Sequence, residues 1–266
     1  MPYATSGSAN IYYELHGKGP AILFIHGSGG HHAAWWQQVA YFSSEYQVIT
    51  VDLRGFGKSS SIPEGPDAQD FPQDVLAVLD HAGISKSVLI GQSIGAAAAL
   101  SMAMKNPARA AAVVLAHSVG GISHPEIAAR VRADRTEAEK LPVLDRLLTP
   151  NFQLAQPAKT FLFQQMGTFN AAKMKDLRNL TSAGPSVEAV NAAGFPICLL
   201  TGENDAVLRP ATIRHAQQLL THATLTVVPR APHSMYWEAP ELFNAALHVF
   251  LKSIYPRDSA SEGAGT

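Results

Sequence analysis

Three residues whose side chains could together perform nucleophilic catalysis occur along the chain in the order Ser93, Asp205, His233. Ser93 lies in "GQSIG", Asp205 in "TGENDAV" and His233 in "APHS", and each motif follows an apolar run. A serine hydroxyl is a weak nucleophile, so it needs a neighbouring base, and an imidazole base needs a carboxylate to orient it. The residue types therefore predict acyl-transfer chemistry, provided that the fold brings the three side chains together.

Two glycines flank the serine, Gly91 and Gly95, at the point where an apolar run gives way to a run of alanines. A serine on a sharp strand-to-helix turn projects its hydroxyl from the edge of a sheet, and glycines on both sides avoid collisions with the adjoining backbone. The amino end of the new helix would then point N–H groups at the reacting centre. An ordinary glycine-rich turn would show the same motif, so Ser93 is assigned by its context and not by these five residues alone.

Short apolar runs alternate with helical patterns along most of the chain. Seven runs predict strands: "IYYELHG", "AILFIHG", "YQVITVDLRG", "KSVLIG", "RAAAVVLAHSVGG", "FPICLLTGEND" and "LTVVPRAPH". Helical spacing and helix-ending residues predict helices in "DFPQDVLAVLDHAG" and "SIGAAAALSMAMKNP". Strands that alternate with helices favour an α/β fold with a mostly parallel sheet and helices on both faces.

Residues 121–185 depart from this alternation, because they contain no run typical of a buried strand. Helical stretches occur instead in "HPEIAARVRADRTEAEKL" and "AKTFLFQQMGTFNAAKMKDLRNL". We expect residues 1–120 and 186–256 to form the two parts of one core, and residues 121–185 to form a helical cap over the strand ends. The small, polar residues 257–266 predict a disordered tail.

Taken together, five motifs resemble those of the α/β-hydrolase fold family: "HGSGG" (26–30), "DLRGFGKS" (52–59), "GQSIG" (91–95), "TGEND" (201–205) and "APHS" (231–234). They cover the whole chain except the insertion, which corresponds to the variable cap of the family. The resemblance implies Ser93 as the nucleophile, His233 as general base and then acid, and Asp205 as the orienting acid. It also implies that the backbone N–H groups of Ser28 and Ile94 form the oxyanion hole.

Other residues near these motifs are candidates for substrate binding. Gly27 and Gly29 keep the predicted oxyanion loop free of side-chain bulk. Trp36 follows that loop, and Phe163 lies in the insertion. Phe163 belongs to an apolar cluster that either lines the underside of the cap or packs inside it, together with Phe161, Met166 and Phe169.

Some polar residues have competing interpretations. Glu203 and Asp52 are alternatives to Asp205 as the acid, although Asp52 lies in a loop motif of structural type that also contains Arg54. His26 is expected to support the oxyanion loop through hydrogen bonds. His117 ends a predicted strand at the catalytic edge, where it either lines the pocket or serves as a scaffold residue. His31 and His32 either line the pocket or lie in a solvated turn.

Several reactions use a serine, histidine and aspartate on this fold, so the fold does not decide the substrate. The first hypothesis is a carboxylic ester hydrolase, an esterase or lactonase, that cleaves a small, largely apolar substrate. One alternative is a carbon–carbon bond hydrolase of a ring-cleavage product; the absence of proline after the oxyanion glycines and of asparagine before Ser93 weakens it. The other alternative is a small-molecule receptor with slow turnover.

Composition excludes other classes of protein. The chain of 266 residues has a formal net charge of −1 and no basic block, which disfavours nucleic acid and anionic membranes as partners. Its one cysteine, Cys198, lies in an apolar run and cannot form an intramolecular disulfide. No signal peptide, spanning segment or metal-binding motif is evident. We expect a cytoplasmic enzyme that needs no metal or cofactor and takes a small-molecule substrate, with a homodimer left open.

Overall fold

The computed structural model describes residues 2–180 and 184–256. Eight strands form one sheet: β1 (Tyr3–Ser6), β2 (Ala9–His16), β3 (Ala21–Ile25), β4 (Gln47–Val51), β5 (Ser87–Gln92), β6 (Ala110–Ala116), β7 (Ile197–Gly202) and β8 (Ala223–Val228). The order across the sheet is β1-β2-β4-β3-β5-β6-β7-β8. The pairs β1–β2 and β2–β4 are antiparallel, and all the others are parallel. The predicted fold class, α/β with a mostly parallel sheet, is confirmed.

The sequence pattern missed one strand, β1. Its four residues, "YATS", include two hydroxyl residues and alternate between exposed and buried positions, so they form no continuous apolar run. The central strands are different because helices cover both faces of the sheet, which buries every residue of β3 and of β5. In β3, Leu23 and Ile25 face one apolar cluster, whereas Ile22 and Phe24 face the other.

Eleven α-helices surround this sheet in the described part of the chain: α1 (Trp36–Phe42), α2 (Phe71–His81), α3 (Ile94–Lys105), α4 (Pro125–Ala138), α5 (Val143–Leu147), α6 (Pro150–Ala155), α7 (Pro157–Met166), α8 (Val187–Ala193), α9 (Pro210–Leu219), α10 (Met235–Glu238) and α11 (Pro240–Ile254). Helices α2, α3, α8 and α9 bury apolar residues in one cluster, and α1, α10 and α11 bury theirs in the other. Within this described part, no helix combines the length and hydropathy that a membrane crossing requires.

Helices α4 to α7, with short 3-10 turns, fill the connection between β6 and α8 where the cap was predicted. The predicted helical stretch that begins at Ala158 ends at Met166, because Gly167 starts a 3-10 turn and Asn170 leaves helical geometry. The predicted tail, 257–266, lies outside the described residues.

Polar contacts attach the insertion to the core, and carboxylates form two groups of them. In α4, the buried Asp134 accepts hydrogen bonds from the backbone N–H of Arg209 (3.0 Å) and from the hydroxyl of Thr212 (2.7 Å), at the start of α9. The residue before α6, Thr149, donates its N–H (2.8 Å) and its hydroxyl (2.6 Å) to the carboxylate of Glu238. These two carboxylates therefore hold α4 and the start of α6 on the core.

Candidate active site

Four adjacent parallel strands each present one polar residue at the carboxyl edge of the sheet. Ser93 follows β5, His117 follows β6, Asp205 lies in the loop after β7, and His233 lies in the loop after β8. Because β5, β6, β7 and β8 are neighbours in the sheet, residues far apart in sequence meet at one edge. Ser93, Asp205 and His233, the three residues predicted to act together, are among them.

Ser93 occupies a strained backbone conformation at the junction of β5 and α3. Its φ is 54° and its ψ is −115°, which a residue with a β-carbon rarely adopts. The glycines on either side permit this turn. A β-carbon on Gly91 would collide with the backbone of Gly95, and one on Gly95 would lie only 2.7 Å from the carbonyl oxygen of His26. This geometry matches the sharp strand-to-helix turn expected from the motif.

Hydrogen bonds from two backbone N–H groups of its own loop and from His233 hold the carboxylate of Asp205. Its Oδ1 accepts hydrogen bonds from the N–H groups of Val207 and Leu208, both at 2.9 Å. The Nδ1 of His233 lies 3.0 Å from both carboxylate oxygens. An ionised carboxylate only accepts hydrogen bonds, so the Nδ1 of His233 carries the proton and its Nε2 is left free to act as a base.

A second imidazole contacts the same carboxylate. His117, fully buried, places its Nδ1 2.9 Å from Oδ2 of Asp205, and its ring centroid lies 5.4 Å from that of His233. Burial would raise the pKa of Asp205, but His233 and His117 together hold it below its ordinary value. Burial also lowers the pKa of His117 itself, which favours its neutral form. The sequence placed His117 at this edge but gave no sign of its bond to Asp205.

The predicted oxyanion loop lies directly against Ser93. A β-carbon on Gly27 would lie 3.3 Å from that of Ser93. The loop turns tightly, since the N–H of Gly30 donates to the carbonyl of Gly27 at 3.0 Å, with Ser28 and the exposed Gly29 between them. Gly27 therefore packs against Ser93, with Ser28 next in the loop, while Ile94 follows Ser93 at the start of α3.

His26 fixes this loop through both nitrogens of its ring. Nδ1 donates to the carbonyl of Gly27 at 2.7 Å, and Nε2 accepts from the N–H of Leu53 at 3.1 Å. Burial lowers the pKa of His26, which keeps the ring neutral and suits this pair of contacts. The position of His26 agrees with the supporting role that the sequence suggested.

A cavity of about 700 Å³ contains both Ser93 and His233 in its lining. Its other walls are mainly apolar and come from the segment after β6, from α4 and from the loop after β7; they include Val119, Ile122, Ile127, Val131, Val207 and Leu208. Two exposed arginines of α4, Arg132 and Arg135, also line it. The cavity is therefore an apolar space with guanidinium groups on one wall.

Trp36 and Phe163, the two aromatic candidates for substrate binding, lie outside this lining. The side chain of Trp36 is 47% exposed, and its ring packs edge-on to Trp237 with a centroid distance of 6.3 Å. Phe163 packs against the same Trp237 at 5.4 Å. Of the rest of the cap cluster, Phe161 and Phe169 are largely exposed, and Met166 is buried in the core. Helix α4, and not α7, supplies the apolar wall.

The alternative acids have other partners. The buried Asp52 accepts hydrogen bonds from Nδ1 of His32 (2.8 Å) and from the N–H of Lys58 (2.8 Å), which ties two loops together. Glu203 is exposed and accepts from the N–H of Arg230 at 3.0 Å. Neither carboxylate contacts His233 in any hydrogen bond of the described residues.

Among residues 2–180 and 184–256, two groups of buried side chains have histidine and aspartate atoms within 4.8 Å of one another, as a metal site requires: His31, His32 and Asp52, and His117, Asp205 and His233. In both groups, the imidazole–carboxylate contacts are hydrogen bonds of 2.8 to 3.0 Å. A cation would have to displace the protons that make those bonds. The expectation that catalysis needs no metal or cofactor stays a prediction.

An open, mostly parallel sheet with a serine, an aspartate and a histidine at its carboxyl edge is the arrangement of an α/β hydrolytic enzyme. The chain belongs to the α/β hydrolase fold family, whose model matches residues 20–240. The family predicted from the sequence motifs is confirmed.

Individual relatives extend this likeness over nearly the whole chain. A 3-oxoadipate enol-lactonase of Acinetobacter baylyi is 29% identical over 95% of this chain and 93% of its own length. A pimeloyl-[acyl-carrier protein] methyl ester esterase of Aliivibrio salmonicida is 25% identical over 92% of this chain and 97% of its own. The solved structure of an esterase from Thermogutta terrifontis, 24% identical, superposes with a TM-score of 0.79 over 95% of this chain and 98% of its own.

Proposed function

We propose that the protein is a serine hydrolase that cleaves a small, largely apolar carboxylic ester or lactone through an acyl-enzyme on Ser93. The observation that carries this proposal is the arrangement of the site: Ser93, on a strained turn, shares one cavity with His233, which is bonded to Asp205. The names of an enol-lactonase and of a methyl ester esterase among its relatives support the same class of reaction.

In the proposed first half-reaction, Nε2 of His233 removes the hydroxyl proton of Ser93 as Oγ attacks the carbonyl carbon. The oxyanion that forms accepts hydrogen bonds from the N–H groups of Ser28, which follows Gly27, and of Ile94, which follows Ser93. Collapse breaks the bond to the leaving oxygen, which takes the proton from His233. An ester releases its alcohol at this step, whereas a lactone opens and keeps its new hydroxyl on the acyl chain.

In the second half-reaction, water attacks the acyl carbon while His233 accepts a proton from it. Collapse of the second tetrahedral intermediate returns that proton to Oγ of Ser93 and frees the acid. Asp205 stays ionised throughout and stabilises the imidazolium that forms in each half-reaction. The lowered pKa of Asp205 supports this role.

The cavity supports a substrate of modest size. A volume of about 700 Å³ lies within the range of small-molecule sites, and its walls offer mainly aliphatic side chains. We further propose that the enzyme acts in the cytoplasm without nucleic acid or a membrane as partner, which the net charge of −1 supports. The homodimer stays a prediction, which light scattering on the purified protein would test.

One observation favours a second candidate, a carbon–carbon bond hydrolase that acts on a vinylogous diketone acid. Such a substrate carries a carboxylate, and Arg132 on the cavity wall offers a cation to bind it. Arg130 and Arg178 also lie in the insertion, but the guanidinium of Arg178 donates to the carbonyl of Gly65 and neither residue lines the cavity. The apolar lining and the names of the enol-lactonase and the esterase support the ester or lactone hydrolase as the first proposal.

The test compares p-nitrophenyl butyrate with a vinylogous diketone acid as substrates of the wild type and of Ser93→Ala. We expect ester turnover that is lost in the variant, and a fluorophosphonate adduct on Ser93 in the intact mass spectrum. Efficient cleavage of the diketone acid with negligible ester turnover would establish the second candidate. Binding of either compound with no turnover of any ester or lactone would instead favour a receptor.

A further inference from the structure

His117 stands at the position of the site where β6 ends, and no step of the proposed mechanism uses it. Its backbone φ is 55°, in the left-handed region that asparagine and glycine adopt more readily than histidine. Its own N–H donates to the carbonyl of Leu200 at 2.8 Å, so pairing with β7 fixes this conformation. A strained residue whose surroundings hold it in place is often a functional one.

The hydrogen bonds to Asp205 determine which ring nitrogens of His117 and His233 carry a proton. Asp205 accepts from Nδ1 of His117 at 2.9 Å and from Nδ1 of His233 at 3.0 Å, both on Oδ2. The carboxylate is ionised and donates nothing, so His117 must carry a proton on Nδ1. Its Nε2 is buried and has no hydrogen-bond partner among residues 2–180 and 184–256. His117 is therefore a neutral donor, and it adds no positive charge beside the base.

A second donor on Oδ2 weakens the interaction between Asp205 and protonated His233. Each hydrogen bond to a carboxylate disperses part of its negative charge, so it interacts less strongly with a neighbouring cation. In the presence of His117, protonated His233 gains less from Asp205 than it would from the same carboxylate without that bond. The base then stays unprotonated, and active, at lower pH.

We propose that His117 is a positioning residue that acts through Asp205 to orient the carboxylate and to extend catalysis toward acidic pH. The inference rests on the proposed function, because it assumes that Ser93 is the nucleophile and His233 its base. Burial raises the pKa of Asp205, and the titratable groups that lower it are the two imidazoles. Other charged or titratable groups line the same cavity or occupy the neighbouring loop, and they stay constant in the test: His124, Arg132, Arg135 and Glu203.

Three substitutions separate this role from a merely structural one. The amide nitrogen of His117→Asn stands at the same number of bonds from the β-carbon as Nδ1, and asparagine tolerates a positive φ. It should therefore retain the donor. His117→Ala removes the donor, and His117→Gly removes it without backbone strain, which provides a second variant if the alanine protein does not fold. Thermal unfolding monitors the fold of each protein.

The readout is the rate at which a fluorophosphonate labels Ser93 as a function of pH, measured by intact mass and with Ser93→Ala as the unlabelled control. It needs no knowledge of the natural substrate. We expect the acid limb of the profile to move to higher pH by roughly half a unit or more in His117→Ala and His117→Gly, and to return to the wild-type position in His117→Asn. A folded donor-free variant with an unmoved limb, or an equal shift in all three variants, would overturn the inference while leaving the proposed function intact.

A measurement on the wild type itself completes the test. Nitrogen-15 NMR of the imidazole rings should show His117 as a neutral ring with its proton on Nδ1 between about pH 5 and 8. A proton on Nε2 instead would overturn the inference without any variant. If the wild type were not labelled at Ser93 at all, the proposed function would fall, and this inference with it.

Discussion

Gly27 lies against Ser93 so closely that a β-carbon at position 27 would come within 3.3 Å of the β-carbon of the serine. The same added atom would collide with the side-chain amide oxygen of Gln92, which is buried. The loop and Ser93 therefore pack as one unit, because glycine at position 27 leaves room for their contact.

Gly27→Ala should lower kcat/KM for an ester by about 10²-fold, because a displacement of about 1 Å in a catalytic group can cost that much. The matched control is Gly29→Ala, since a β-carbon there would meet no atom within 4 Å. Steady-state assays of both variants, with thermal unfolding to confirm the fold, make the comparison. Equal losses in the two variants would show that the contact with Ser93 is not the cause.

Asp205→Asn should reduce kcat by about 10⁴-fold, as the loss of the corresponding carboxylate does in a serine protease, because the amide no longer favours the productive tautomer of His233. Glu203→Gln is the control, since Glu203 is exposed and contacts the backbone of Arg230. Its activity should stay within a few-fold of the wild type. A larger loss in Glu203→Gln than in Asp205→Asn would reassign the acid.

Replacing Ser93, the proposed nucleophile, should reveal the strain at its position. Both Ser93→Ala and Ser93→Gly are expected to be inactive, but only glycine adopts a φ of 54° and a ψ of −115° readily. Ser93→Gly should therefore be the more stable protein by about 1 kcal/mol in its free energy of unfolding. Urea unfolding of the two proteins provides the measurement, and an alanine variant at least as stable as the glycine one would argue against strain.

Acid should destabilise the protein in part through His31. Burial lowers the pKa of His31 to about 4, and nearby His32 adds to the effect while Asp52 opposes it. An unfolded histidine has a pKa of about 6.5, so between these values the unfolded chain binds more protons. His31 therefore does not lower the free energy of unfolding above about pH 6.5. Below that pH it lowers this free energy progressively, until the pH reaches about 4.

His31→Asn should flatten this part of the stability profile. Asparagine retains an acceptor for the N–H of Ala33, which His31 now caps through Nδ1 at 3.3 Å, but it does not titrate. The free energy of unfolding, measured in urea from about pH 4 to 7, should depend less on pH in the variant than in the wild type. Parallel profiles would show that His31 contributes nothing to the dependence.

The wall of the cavity, not the aromatic cluster of α7, should control the acyl chain length. Val131 lines the cavity, so Val131→Phe should lower the ratio of kcat/KM for octanoate over butyrate esters by about tenfold. Phe163→Ala should leave that ratio unchanged, since Phe163 packs on Trp237. A panel of p-nitrophenyl esters gives both ratios. A change caused by Phe163→Ala alone would place the binding site under α7 after all.

The sequence predicts those residues of the site that stand in a recognisable short motif, and it does not predict contacts between residues far apart in the chain. Ser93, Asp205 and His233 could be found because each follows an apolar run, and parallel strands carry such positions to a common edge. The bond between His117 and Asp205 leaves no such trace. A histidine after a strand looks the same whether it contacts a catalytic group or only the scaffold, and the two residues are 88 positions apart.

The cap was harder to interpret for a similar reason. Its helices were visible in the sequence, but which of them faces the cavity depends on how they dock on the core. Phe163 has the residue type expected of a pocket wall, yet Trp237 covers it instead. Val131 and Arg132 lie on a polar, weakly amphipathic helix, α4, and reach the cavity because Asp134 attaches that helix to the start of α9.

The contact between Thr149 and Glu238 bears on how this enzyme could be recombined with its relatives. Glu238 ends the helix that begins two residues after His233, and the N–H of Ser234 in the same loop donates to the carbonyl of Leu147 at 3.0 Å. Burial raises the pKa of Glu238, and a grafted segment without a hydroxyl at position 149 would remove one of its two donors. A chimera should therefore exchange residues 147–149 together with 234–238. The segment of the insertion and the loop that carries His233 then come from the same parent protein, and their contacts are kept.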